Sequence, residues 1–171
     1  MKTFGFIGLG LMGGSLAKAA RRFSRTERIF ACDANEDVLN KALEEKVIDK
    51  AFTPSGADEM LAACDIVFIC LYPKAAADFL LRHENAFKSG AVVTDISGVK
   101  KEATKCFSGF TRKDIFFVSG HPMAGSEKEG YEHSSADICL GRNYILIENA
   151  ATDASSIALL SDIIRAMGFK R

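Results

Sequence analysis

Three segments of the 171-residue chain carry residue types whose spacing could support chemistry. The first is Gly8-Leu9-Gly10-Leu11-Met12-Gly13, a GxGxxG run between a short apolar stretch and an amphipathic one. Gly8 allows a tight turn, Gly10 lets the backbone approach a pyrophosphate, and Gly13 permits close packing of a helix on a sheet. Phosphates would then lie against free N–H groups around Leu11 and Met12, at the positive end of that helix. Asp33 follows the last glycine by 20 residues. A carboxylate there accepts hydrogen bonds from the adenosine ribose and repels a 2′-phosphate, so the pattern points to NAD rather than NADP. The plainer alternative is a glycine-rich turn with Asp33 capping the next helix. FAD shares the fingerprint, but a chain this short leaves little room for a flavin site.

The second segment type is the end of a later strand, where ligands of such sheets bind. Leu71, Tyr72 and Pro73 follow one apolar run, and Ser97 and Gly98 follow another; two small residues in that turn would let a nicotinamide come close. The alternative for the first is a plain strand-to-helix turn with Pro73 at the first helical position. The third segment is Gly120-His121-Pro122-Met123-Ala124-Gly125-Ser126-Glu127. Its histidine could take a proton from a substrate hydroxyl, since an ordinary imidazole titrates at about 6.5. A polar loop histidine capping a helix is the competing reading.

Strands alternating with helices must position these segments. Periodicity predicts strands over 3–7, 28–32, 65–70, 91–95, 115–119 and 144–147, and helices over 13–23, 36–46, 74–81, 100–107 and 153–167. In the second helix Val38, Leu39, Ala42 and Leu43 should face inward. This alternation implies βαβ units in an α/β, doubly wound, mostly parallel sheet of the Rossmann type, one dinucleotide-binding domain over residues 1–171. With 48% hydrophobic residues the chain is not disordered, and no apolar run is long enough to span a membrane. Lys and Arg (22) balance Asp and Glu (22), which leaves no electrostatic footprint for nucleic acid or anionic lipid. Five cysteines without a CxxC pair, and no signal-peptide pattern, read as a reduced, cytoplasmic protein. No metal-ligand spacing is present, and His83 and His133 read as solvated surface residues.

GFIGLGLMGGS, TDISGVK and GHPMAGSE together resemble the prephenate/arogenate dehydrogenases of tyrosine biosynthesis, over essentially the whole chain but only their N-terminal, nucleotide-binding part. The resemblance implies NAD-dependent oxidative decarboxylation of prephenate to 4-hydroxyphenylpyruvate, or of arogenate to tyrosine. By the same resemblance His121 accepts the hydrogen bond and proton of the substrate 4-hydroxyl, and Ser126 and Glu127 lie on the substrate side. Family members continue into a helical domain that forms a homodimer and supplies substrate-binding groups, so the chain is expected to be a truncation. A stand-alone NAD-binding module without activity is the alternative, and a β-hydroxyacid dehydrogenase, which shares the glycine-rich opening, is a weaker one. Two positions depart from the family pattern. Gly98 stands where a serine is usual, leaving Ser97 as the candidate hydroxyl, and Glu129 replaces a small residue.

Overall fold

Successive side chains of a strand point to opposite faces, and three short strands here are apolar on both. In Thr3–Ile7 (β1), Phe4 and Phe6 enter one core and Ile7 the other; in Arg28–Cys32 (β2), Ile29 and Ala31 oppose Phe30 and Cys32; in Ile66–Ile69 (β4), Ile66 and Phe68 oppose Val67 and Ile69. Such strands can only lie inside a sheet covered on both sides. The computed structural model, which describes residues 2–23, 28–148 and 152–170, shows that sheet. With Lys50–Phe52 (β3), Val92–Asp95 (β5) and Phe116–Phe117 (β6) it has six parallel strands in the order β3-β2-β1-β4-β5-β6. The order reverses between β1 and β4, the switch point at which a ligand crevice opens.

Register then levels the strand ends. Ile7 pairs with Cys32 and with Ile69, and Ile69 pairs with Asp95. Gly8, Asp33, Cys70 and Ile96 therefore emerge side by side on one edge.

Helices cover the two faces. Leu11–Phe23 (α1) and Ala154–Ala166 (α6) pack with Phe4, Phe6 and Phe68, where Phe6 and Phe68 stack at 4.9 Å. Ala57–Ala63 (α3), Pro73–His83 (α4) and Lys101–Ser108 (α5) cover Ile7, Val67 and Ile69. Each fully buried Phe or Ile contributes roughly 1.5–3 kcal/mol. Ile157, Leu160, Ile163, Ile164 and Met167 of the α6 region are all buried, as their spacing requires.

Several expectations need correction. The structure adds the short β3 and the helix α3, whose three and seven residues show too little periodicity to be read from sequence. The helix Glu36–Glu44 (α2) stops two residues before position 46: Lys46 takes a positive φ of 56°, and Leu43 is exposed rather than inward. Asp33 does not cap α2. Asn35 does, accepting from the N–H groups of Asp37 and Val38. The predicted strand 115–119 divides into β6 and a separate strand, Ser119–Pro122 (β7), which pairs antiparallel with Tyr144–Ile147 (β8) in a second sheet. His121 is thus on a strand, not in a loop. His83 is largely covered, its ring against Phe79 at 4.4 Å and Nδ1 2.5 Å from Asp58. His133 is exposed. Arg171, the last residue, lies outside the described residues. No helix among the described residues is long and apolar enough to cross a membrane.

Candidate active site

The glycine loop between β1 and α1 assigns each glycine a different job. Gly8 has φ +89°, a region that side chains disfavour. A Cβ on Gly13 would stand 2.0 Å from the Gly8 carbonyl oxygen, so α1 can approach β1 only without one. Among the described residues, a Cβ on Gly10 would meet no atom within 4 Å. The fold therefore needs Gly8 and Gly13, whereas the space at Gly10 belongs to something else. The first helical bond runs from Gly14 N–H to the Gly10 carbonyl at 2.9 Å, which leaves the N–H groups of Leu11, Met12 and Gly13 outside the helical ladder. No carboxylate occupies the first turn of α1 to compete for them.

Asp33 braces the loop from the next strand. Its Oδ2 accepts from Leu9 N–H at 2.7 Å and its Oδ1 from Asn35 N–H at 2.8 Å, which leaves each oxygen a free lone pair. It opens onto a groove of about 540 Å³ shared with Asn35, Glu36 and Asp37. Three carboxylates there repel an additional phosphate. At the end of β4, the side chain of Leu71 lies against Gly8, Pro73 opens α4, and Tyr72 stands 81% exposed beside them. These residues fit a dinucleotide laid across the switch point.

A buried polar cluster follows at the end of β5. Asp95, fully buried, accepts from Ser97 Oγ (2.7 Å) and Lys100 Nζ (2.9 Å) at Oδ2, and from Ser119 Oγ (2.9 Å) at Oδ1. Lys100 also donates to the Gly120 carbonyl. Desolvation pulls the Lys100 ammonium below its usual pKa, against the opposing pull of Asp95. His121 sits beside this cluster, half-buried, with Nδ1 3.0 Å from the Ile96 carbonyl. A carbonyl only accepts, so in the neutral ring the proton is on Nδ1 and Nε2 presents a lone pair. His121 also lines a broad groove of about 570 Å³ together with Met123, Ser126, Glu127 and Arg142.

The cysteines play no visible part in this chemistry. Burial pushes the thiols of Cys64 and Cys139 up to about 12 and that of Cys32 to about 11. Such thiols are inert. Among the described residues, no group of three His, Cys, Asp or Glu side chains is arranged to hold a metal ion.

Residues 16–170 match the family described as prephenate dehydrogenase, nucleotide-binding domain. The chain belongs to the prephenate dehydrogenase family. It is 33% identical over 157 residues to a prephenate dehydrogenase of Lactococcus lactis, covering 88% of this chain and 42% of that protein. Its structure is similar to that of Aquifex aeolicus prephenate dehydrogenase in complex with hydroxyphenyl propionate and NAD+ (TM-score 0.89, 27% identity, 99% of this chain and 58% of that one). It is similar also to a Synechocystis arogenate dehydrogenase (TM-score 0.84, 26% identity, 98% and 58%). The chain spans about half the length of the curated relatives it matches.

Within this nucleotide-binding domain, most of the sequence-predicted residues gather on one edge. Ser97 is the exception in role. Its hydroxyl is engaged with Asp95 and with the Val99 carbonyl at 2.9 Å. The side-chain direction that faces the imidazole belongs to residue 98, where a Cβ would come 3.4 Å from His121 Cε1. Gly98 thus leaves that side of His121 open. Ser126 and Glu127 are exposed at the groove, Ser126 Oγ accepting from Lys128 N–H at 3.1 Å. Sequence reading missed Asp95, Lys100 and Ser119, which make the cluster, and Arg142, the cation of the groove. Asp95 and Lys100 lie within the TDISGVK motif, where a carboxylate inside an apolar strand end is the available signal. Arg142 gave none.

Proposed function

We propose that this protein serves NAD-dependent oxidative decarboxylation of prephenate or arogenate, with His121 as the proton acceptor. The observation that carries this reading is the Nδ1–Ile96 hydrogen bond, which leaves the lone pair of Nε2 available to a ligand in the groove. Substrate hydroxyl would donate to Nε2, and His121 would take its proton as the hydroxyl-bearing carbon becomes a ketone. Aromatisation then accompanies loss of the ring carboxylate as CO2. The loop from Gly8 to Gly13 and the edge at Leu71, Tyr72, Pro73 and Gly98 would hold the cofactor, and Asp33 its adenosine ribose. Bound NAD+ supplies the hydride acceptor. Ser126 and Glu127 would meet the substrate at the groove mouth, and Arg142 offers a cation to its carboxylates.

The test is His121→Asn in the full-length protein, followed by NADH absorbance with prephenate and with arogenate. Removing a positioned base lowers kcat by about 10²–10⁴-fold, with NAD+ affinity unchanged. Undiminished kcat refutes the role of His121. A folded wild type that binds NAD+ but forms NADH with neither substrate refutes the choice of reaction.

A further inference from the structure

We infer that the buried Asp95–Lys100 pair is the positioning device for His121, holding the imidazole in the orientation and tautomer that present Nε2 to the groove. This rests on His121 being the proton acceptor, but the geometry that argues for it does not. The backbone of the main sheet lets go of this segment just before the histidine. Val118 N–H bonds the Val93 carbonyl at 2.9 Å, and beyond it, among the described residues, β7 pairs with β8 alone. Among the described residues, the hydrogen bonds that tie positions 119 and 120 back to the β5 edge all pass through two side chains. Ser119 Oγ reaches Asp95, and the Gly120 carbonyl receives Lys100.

The ring itself is referenced to the same place. Its partner, the Ile96 carbonyl, is attached to the residue next to Asp95, and the turn that follows is closed by Ser97 on Asp95. Both the base of the histidine and the acceptor that selects its tautomer therefore depend on one carboxylate. Lys100 neutralises that carboxylate and bridges it to the strand carrying the histidine. A pair this well covered, with side chains 1% and 18% exposed, is poorly explained as a stability device. Desolvation of buried ions offsets most of their attraction, and apolar replacements of similar volume are often no less stable. A role in fixing geometry accounts for its presence. Asp95 and Lys100 are positioning residues, since neither points its charge into the groove: all three polar partners of the carboxylate and both of the ammonium are named protein groups.

Three variants of the full-length protein test this: Lys100→Met, Ser119→Ala and the doubly neutral Asp95→Asn/Lys100→Met. Nitrogen-15 chemical shifts of His121, read at a pH where the ring is neutral, report the tautomer without substrate; NADH formation gives kcat and the KM for NAD+. In the wild type the proton sits on Nδ1. In Lys100→Met and in the double variant it should move toward Nε2, the site preferred by a free imidazole. A misplacement on the order of 1 Å should lower kcat roughly 10²-fold, with the KM for NAD+ within about twofold. The double variant leaves no unpaired charge buried, so it folds even where Lys100→Met does not, and Ser119→Ala should give a smaller change of the same kind. A folded Lys100→Met or double variant that keeps the Nδ1–H tautomer overturns the proposal whatever its activity, as does recovery of wild-type kcat in the double variant. A wild type inactive on both substrates overturns the proposed function instead, and the clamp is then judged on the tautomer alone.

Discussion

Alanine placed at Gly10 and at Gly13 should separate the two reasons for which a loop keeps glycine. At Gly13 the new Cβ would stand 2.0 Å from the Gly8 carbonyl oxygen and 3.0 Å from Cys70 Cβ. Neither neighbour is a flexible side-chain end, so α1 must withdraw from β1 by about 1 Å to restore ordinary contact. That is overpacking against backbone, at the upper end of the 1–3 kcal/mol range, about 3 kcal/mol. For a domain of this size it lowers Tm by roughly 6–12 °C. At Gly10 the same methyl meets no atom of the described residues within 4 Å, and the backbone there does not have a positive φ. Gly10→Ala should therefore change stability by less than about 0.5 kcal/mol. It should still weaken NAD+ binding by at least about tenfold, or about 1.4 kcal/mol, because the methyl occupies the path of the pyrophosphate. Thermal melts and calorimetric titration with NAD+ read the two effects separately. If Gly10→Ala binds NAD+ as the wild type does, the open space at Gly10 is not the cofactor's. If it loses as much stability as Gly13→Ala, the division of labour among the glycines is wrong.

Two further outcomes follow from the same structure. Burial raises the pKa of Cys32 to about 11 and of Cys64 and Cys139 to about 12, against 9.0 for an ordinary thiol. The unfolded chain thus releases these protons first, so the contribution of these thiols to stability should be fully present below pH 9 and lost as pH rises from 9 toward 12. The depressed pKa of Lys100 offsets part of this, since that group favours the folded state as pH rises; urea midpoints at pH 8 and pH 10.5 that agree would refute the sign. Gly98→Ser should fold normally, because its Cβ meets His121 Cε1 at an ordinary 3.4 Å. The added hydroxyl stands beside the imidazole that Ser97 does not reach, and kcat should rise; an unchanged kcat with prephenate and arogenate refutes a part for that hydroxyl, and a lower one shows that the open side of His121 is the better arrangement.

The sequence by itself determined most of the longer elements and the placing of the glycine loop and Asp33 among them. Apolar runs of strand length, helical periodicity and the offset from Gly13 to Asp33 are local properties of the chain; β1, β2 and β8 fall where these signals place them, and α1 ends at Phe23 as predicted but starts two residues earlier, at Leu11. Covering both faces of β1 and β2 leaves a parallel sheet as the solution for them, and the glycines mark the edge at which it opens. The tertiary structure alone decided which strand end meets which. Register brings Gly8, Asp33, Cys70 and Ile96 level, and no property of any one segment encodes that alignment. The strand predicted over 115–119 divides because pairing with β8 competes with pairing to β5, a choice made by residues some 25 positions away. The same holds for the histidine. Its residue type was legible, but the free Nε2 depends on the Ile96 carbonyl and on a carboxylate and an ammonium that look, in sequence, like the end of a strand and the start of a helix. Charge pairs and tautomers are set by distances across the fold, and those distances exist only once the chain has closed on itself.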